Sequence, residues 1–176
     1  MQQKRPYILQ SYSVSWAQRF EDEKKTVLSI LGDEALNIEH IGSTSIPNMI
    51  AKPQIDVLIE VKSLDMVSSE YQRKFANAGY QYHGDYSKIG ELYFTRDDVD
   101  GMRLTSLHIL EQGNSEIDDI LCFRDYLRAH EDERQRYADT KIELNQKYSE
   151  DYPAYSQGKN EVIQALLKNA RSWRGK

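Results

Sequence analysis

The sequence predicts an α+β domain in which strands and helices alternate before a closing run of helices. Three observations carry this reading. Apolar residues recur at helical spacing over residues 15–31. Apolar and polar residues alternate over 36–41 and again over 54–61. From Asn114 onward the apolar pattern stays helical. With 176 residues, 39% hydrophobic and 29% charged, the chain suits one domain spanning 1–176 around a single core.

Residues 1–13 read as an extended arm. Ser15-Trp16-Ala17-Gln18 has capping-box spacing. Trp16, Phe20, Val27 and Leu31 follow at gaps of four, seven and four, and Gly32 sits where a helix would stop. Leu36 to Ile41 reads as a strand with one face buried, delivering the chain to Gly42. Residues 43–52 form a loop restricted by Pro47 and Pro53. Gln54 to Val61 is a second strand, with Ile55, Val57, Ile59 and Val61 on one face and Asp56, Leu58 and Glu60 on the other.

Ser63 is placed to cap a helix carrying Leu64, Val67, Tyr71, Phe75 and Ala78, ended by Gly79. Tyr80 to Tyr82 reads as a short strand and His83-Gly84-Asp85 as a turn. Glu91–Arg96 and Met102–Leu110 form an antiparallel hairpin across Asp97-Asp98-Val99-Asp100-Gly101. In its second strand Leu104, Ser106, His108 and Leu110 share a face. The first closing helix starts at Ser115, with Ile117, Ile120, Phe123 and Leu127 inward. The next is marked by Tyr137, Lys141, Leu144 and Tyr148, and the last by Val162, Ile163, Leu166, Leu167 and Ala170. Tyr152-Pro153-Ala154-Tyr155 is expected to break these two apart, and the charged residues of 131–147 read as a solvated face.

A net charge of −5 argues against duplex nucleic acid as a partner. Cys122 is the only cysteine, which excludes an intramolecular disulfide and a cysteine-rich zinc site. It reads as a small apolar residue on a helix. No apolar run approaches the ~20 residues that span a membrane, and the basic start Met1 to Tyr7 has no apolar segment behind it. A cytoplasmic protein without membrane contact is the default expectation, and the oligomeric state is left open.

The chemistry concentrates in Glu39-His40-Ile41-Gly42-Ser43-Thr44-Ser45-Ile46-Pro47 and Lys52-Pro53-Gln54-Ile55-Asp56. Small hydroxyl residues after a glycine leave backbone N–H groups open and add side-chain donors. Gly42, Ser43, Thr44 and Ser45 are therefore candidate phosphate ligands, set against a plain turn whose hydroxyls cap the next element. Asp56 lies early in an apolar run, where a carboxylate is costly unless it is paired or binds a cation. It faces a ligand or metal, or it is a structural carboxylate that accepts backbone N–H bonds from the loop or pairs with Lys52 or Arg103. His108 converges on Asp56 if their strands are neighbours. His40 is a satisfied core histidine or a supporting group. Arg124 and Asp125, adjacent on a helix, do not face each other and are expected to make separate contacts, Arg124 with an anion. Lys159 is either solvated or reaches a phosphate.

These residues resemble a known family. His40 to Pro47 with Ala51 to Asp56 is similar to the signature of the GrpB family. The match continues through Trp16 to Phe20, Leu107-His108, Phe123 to Arg128, and Tyr155 with Gly158-Lys159, nearly the whole chain. A glycine–hydroxyl loop followed fourteen residues later by a strand carboxylate is also how nucleotidyltransferases of the DNA polymerase β type begin. The resemblance implies a nucleotidyltransferase-like mixed sheet backed by helices. A related domain occurs behind dephospho-coenzyme A kinase in some bacteria, a hint of nucleotide or coenzyme metabolism.

The implied activity is transfer of a nucleotidyl group from a nucleoside triphosphate. Gly42 to Ser45 would hold the phosphates, Asp56 would hold Mg²⁺ or Mn²⁺, Lys52 or Lys159 would neutralise charge, and His108 would assist. The alternative is a binding module for a nucleotide or phosphorylated metabolite, with His108 and Arg124 reading the ligand. Transferases of this type place two metal-binding carboxylates at alternate strand positions, about 7 Å apart. Here Leu58 stands at that second position and Glu60 is about 13 Å from Asp56. Many family members have His-Leu-His where this chain has Ser106-Leu107-His108. Glu39 is the acid nominated to approach Asp56 as a second metal ligand. The leucine at 58 favours the binding module.

Overall fold

A computed structural model describes residues 8–66 and 69–175. α1 spans Ser15–Leu31, as its apolar spacing predicts, and buries Trp16, Phe20, Glu23, Val27 and Leu31. The expected capping box does not form. Ser15 is already helical, and Gln18 donates to Asp22 one turn on instead of reaching back to the chain start. The Ser13 hydroxyl accepts from the Ser15 N–H at 3.3 Å in its place. Of the expected arm, residues 1–7 lie outside the described residues, and Gln10 bridges Ala51 in antiparallel fashion.

The sheet has five strands: β1 Ala35–Ile41, β2 Ile55–Val61, β3 Gln81–Tyr82, β4 Glu91–Asp97 and β5 Arg103–Glu111, in the order β1-β2-β5-β4-β3. β2 runs parallel to β5 and every other pairing is antiparallel, so the sheet is mixed, as expected. The central pair β2 and β5 is covered on both faces, which suits the mostly apolar sequence of β2. The β4–β5 hairpin turns on Asp98, whose carboxylate accepts from the N–H groups of Asp100 and Met102, both at 2.9 Å.

α2 spans Ser69–Asn77. It starts later than Ser63, because Leu64–Met66 closes a 3₁₀ turn in which the Ser63 hydroxyl accepts from the Asp65 N–H. The helical placement of Val67 falls outside the described residues. α3 Ser115–Ala129, α4 Glu131–Lys147 and α5 Tyr152–Arg174 complete the chain. Tyr152 to Tyr155, expected as a break, is the first turn of α5. Asp151 caps it by accepting from the Ala154 N–H, and Pro153 is tolerated there because first-turn N–H groups have no helical partner.

Among the described residues, buried apolar side chains form three clusters rather than one core. The main cluster lies between one sheet face and α1 with α2, around Ile55, Val57, Ile59, Phe75, Phe94 and Leu107. On the other face Ile41, Leu58 and Leu110 meet Ile117 of α3. In the third, Ile46 and Met49 of the loop after β1 insert among Cys122, Tyr126, Tyr137 and Leu166 of the closing helices. Cys122 is the buried apolar residue the sequence suggests. The segment linking β1 to β2 is therefore anchored in the helical layer at two points, and that anchoring sets the site's geometry.

Candidate functional site

The site forms where β1 ends, β2 begins and the closing helices lean over the sheet. Cross-strand register puts Asp56 beside Ile41 on one side and beside Ser106 on the other. Gly42 adopts φ 69° and ψ −176°, a region essentially restricted to glycine. A Cβ there would lie 2.4 Å from Asp56 Oδ2. The turn thus packs its bare backbone directly on the carboxylate.

The four expected phosphate ligands separate. Thr44 is buried and donates to the Gln54 carbonyl at 2.9 Å, so its oxygen accepts from His40 Nε2 at 3.0 Å. Ser45 is also buried and donates to the Gly42 carbonyl at 2.6 Å. Both hydroxyls brace the turn from within. Ser43 faces the other way and accepts from Lys141 Nζ at 3.1 Å.

His40 points to the α1 face of the sheet, away from Asp56, and stacks on Phe20 with ring centroids 4.8 Å apart. Burial, aided by Arg128, Arg124 and Arg19, pushes its pKa down to about 4. An unfolded histidine takes up a proton near pH 6.5 but the folded one only near 4. Acid therefore favours the unfolded chain across that window, and the stability present above pH 6.5 is lost as pH falls through 4. The expected contribution is about 3 kcal/mol. Urea unfolding of wild type and His40→Gln at both ends of the window checks it, the variant losing less than wild type.

Arg124 is likewise turned inward. Its Nη1 donates to Glu39 at 2.7 Å and to the His40 carbonyl at 3.0 Å, and its Nε donates to Asp125 at 2.8 Å. The pairing with the adjacent Asp125, not expected from helical geometry, arises because the guanidinium folds back over the helix edge. Arg128 holds the Ser45 carbonyl through two nitrogens, and Arg19 of α1 holds the carbonyls of Pro53 and Leu104. These three arginines clamp the backbone around the turn. An open groove of about 470 Å³ between α1, β1 and α3, lined partly by Arg124 and Arg128, lies on this clamped side.

On the other side of the turn three lysines converge. Lys141 of α4 is 2% exposed, and it donates to Ser43 and to the Ile50 carbonyl. Burial, with Lys159 and Lys52 adding to it, pushes its pKa down to about 7. Lys159 of α5 is pushed down to about 8 by burial and Lys52, with Asp56 pulling the other way. Lys52 donates to the Tyr152 hydroxyl at 2.9 Å. Gly158 lets α5 lie close to α4, since a Cβ there would meet Leu144 Cδ2 at 2.6 Å. Among the described residues none of these lysines forms a salt bridge. The solvated reading of the α4 charges fails at Lys141, which occupies the apolar stripe between Tyr137 and Leu144. That position was the signal for it.

Beyond Asp56 the same sheet face continues through Ser106, Tyr93, His108 and Glu91. Asp56 pairs with neither Lys52 nor Arg103. Gln54 Nε2 donates to its Oδ1 at 2.5 Å and to Ser106 Oγ at 3.0 Å. Tyr93 shares a 3.0 Å hydrogen bond with Ser106, and its hydroxyl accepts from Arg103. Arg103 pairs with Asp97. His108 Nδ1 meets the buried Glu91 carboxylate at 2.6 Å.

The donor set does not fit a two-metal centre. Leu58 is buried under Ile117, and Glu39, diagonal to Asp56 in the register, is committed to Arg124. Among the described residues no group of three His, Cys, Asp or Glu side chains is arranged to hold a metal. No helix among the described residues is long and apolar enough to cross a membrane.

The sequence model of the family described as "GrpB protein" matches residues 6–169. UPF0157 protein YqkA of Bacillus subtilis is 42% identical over 93% of this chain, which spans about half of that relative's length (47%). The crystal structure of the conserved protein GrpB from Enterococcus faecalis superposes with TM-score 0.90 at 32% identity, covering 96% of this chain and all of that one. The Cid1 poly(U) polymerase with magnesium and 3'-dATP bound gives TM-score 0.49 at 12% identity, over 84% of this chain and 49% of that one.

Proposed function

This chain belongs to the GrpB family, and from that premise we propose that it binds the polyphosphate of a nucleotide, or a similarly phosphorylated metabolite, at Ser43, Lys52, Lys141 and Lys159. The observation that carries the reading is the pair of lysines from α4 and α5 brought to the Gly42–Ser43 turn without a carboxylate salt bridge. Burying an ammonium is costly unless an anion or a hydrogen-bonding shell answers it. A polyphosphate offers several acceptor oxygens and enough charge to answer all three lysines.

The lysines set the pH dependence. Between about pH 7 and the ordinary lysine value the unfolded chain holds more protons than the folded one, so the free protein gains stability as pH rises. A bound polyphosphate restores the ammonium form, so binding takes up protons and weakens over the same range. Calorimetric titration with inorganic tripolyphosphate and with ATP, at about pH 6.5 and about pH 9, should show tighter binding at the lower pH. Lys141→Met should weaken binding about 10- to 100-fold without lowering the melting temperature. Equal affinity in wild type and the variant, or no binding of either ligand, overturns the reading.

Nucleotidyl transfer is the second reading. It is favoured by Asp56 at the edge of the lysine cluster and by a histidine–carboxylate pair on the same sheet face.

A further inference from the structure

We infer that the free edge of β1 takes the C-terminal segment of another protein as an added strand, with the terminal carboxylate of that segment held by Arg124 and Arg128. The inference stands apart from the lysine site and does not depend on it.

β1 is an outer strand, paired with β2 on one side. Its other edge faces the open groove of about 470 Å³ between α1 and α3. The backbone groups of alternate residues point to opposite sides of a strand. The His40 carbonyl points out of the sheet, because it accepts from Arg124 Nη1. The His40 N–H and both backbone groups of Ile38 therefore point the same way, into the groove that these two residues line. Among the described residues no backbone group pairs with them from that side.

An unpaired edge is a template for a further strand unless something blunts it. β1 carries no proline, and its one acidic side chain, Glu39, is tied to Arg124. The irregular register between Ala35 and Asn37 ends the regular edge at one end, and Arg124 of α3 closes it at the other. The open stretch between is short.

That closure selects a chain end. In a parallel ladder, a residue lying between Ile38 and His40 donates its N–H to the Ile38 carbonyl and accepts the His40 N–H. The peptide unit after it would run into the guanidinium on the His40 carbonyl. A chain that stops there meets the guanidinium with a carboxylate instead. A chain laid in the opposite direction would bring an N-terminal ammonium to the same place, against two arginines.

The charges agree with a carboxylate. Arg124 Nη2 and Arg128 Nη1 form no hydrogen bond among the described residues, while the other guanidinium nitrogens hold Glu39, Asp125 and the carbonyls of His40 and Ser45. The groove is lined by Lys24, Arg124 and Arg128 against Glu21 and Glu39, which leaves one cation for one α-carboxylate. The field of the arginines reaches the groove floor. There, after burial itself, Arg128 and Arg124 hold the His40 pKa down, so the ring adds no charge near neutral pH. Strand addition with carboxylate capture at its end combines two known ways of holding an extended peptide.

The experiment offers the full chain a pool of N-acetylated hexapeptides, randomised at every position and ending in a free carboxylate. Captured peptides are remade singly, as the acid and as the C-terminal amide. Affinity is read by fluorescence polarisation and the contact by backbone ¹H–¹⁵N spectra. The acids should bind and shift the Ile38 and His40 amide resonances. The amides should bind about 10-fold or more weakly, the scale of a lost hydrogen bond to a charged group. Arg128→Gln, which keeps a donor for the Ser45 carbonyl, should weaken binding to a similar degree. Lys24→Glu, on the α1 wall, should weaken it with an unchanged melting temperature and a smaller salt dependence. Lys141→Met should bind the peptides as wild type does, which separates this groove from the lysine site. The inference is overturned if no peptide binds at about 1 mM, or if acid and amide bind equally. Unmoved Ile38 and His40 amides in the complex, or wild-type affinity in both Arg128→Gln and Lys24→Glu, overturn it as well.

Discussion

Glu23→Ala should lower stability by about 3–5 kcal/mol, the range for removing one partner of a buried ion pair. Glu23 is 5% exposed on the sheet-facing stripe of α1, where its carboxylate receives the Tyr80 hydroxyl, Arg96 Nη2 and the Thr105 hydroxyl. Burial and Glu23 together push the Tyr80 phenol well above its ordinary value. Alanine leaves a guanidinium and two hydroxyls without their shared acceptor, beneath a helix that also holds the Pro53 and Leu104 carbonyls through Arg19. For a chain of this size the melting temperature should fall by roughly 6–20 °C. Glu23→Gln keeps an acceptor but not the charge and should fall between the two. Scanning calorimetry checks this. A loss under about 3 °C for the alanine variant would mean that the cluster relaxes and the pair contributes little.

Gly42→Ala should cost about 2–6 kcal/mol. The backbone region it occupies contributes about 1–3 kcal/mol and the added methyl a further 1–3 through overpacking. The methyl would stand 2.4 Å from Asp56 Oδ2 and 3.1 Å from Asp56 Cβ and Cγ, so the two effects separate in a double-mutant cycle. In an Asp56→Ala background the oxygen is gone, and the glycine substitution should become cheaper by about 1 kcal/mol or more. Chemical denaturation of the four proteins measures the coupling. A coupling near zero would mean that the turn, and not the carboxylate, sets the need for glycine at 42.

Both residues show what the sequence made legible. Gly42 and Asp56 stand out because a glycine–hydroxyl turn and a carboxylate in an apolar strand are each unusual locally. Glu23 sits inside the seven-residue gap between Phe20 and Val27, three beyond one and four before the other. Lys141 falls on the apolar stripe of α4 between Tyr137 and Leu144, where a solvated charge does not belong. In both cases helical period places a charged residue on the buried face, and that conflict between pattern and chemistry is readable without coordinates.

What remained hidden depends on side-chain direction around the turn. Ser43, Thr44 and Ser45 are equivalent as letters, and only the 3₁₀ turn sends Ser43 outward while its neighbours bond inward. The partners of Arg124 and the Glu91–His108 contact depend equally on how helices and strands meet in space. Element boundaries moved by a residue or so at most strands, but by more at α2 and α5, where a 3₁₀ turn and a proline-bearing first turn obscured the starts.

The lysine site is assembled from distant parts of the chain: Lys141 and Ser43 are 98 residues apart, and Lys52 and Tyr152 are 100 apart. Contacts this remote form late in folding, after the local helices and the hairpin. During synthesis the turn, Lys52 and Asp56 therefore emerge long before the two lysines of α4 and α5. A nascent chain that has built its sheet but not yet delivered α4 and α5 carries Lys52 and Asp56 without Lys141 and Lys159, so the cluster of cations is completed only at the end of synthesis.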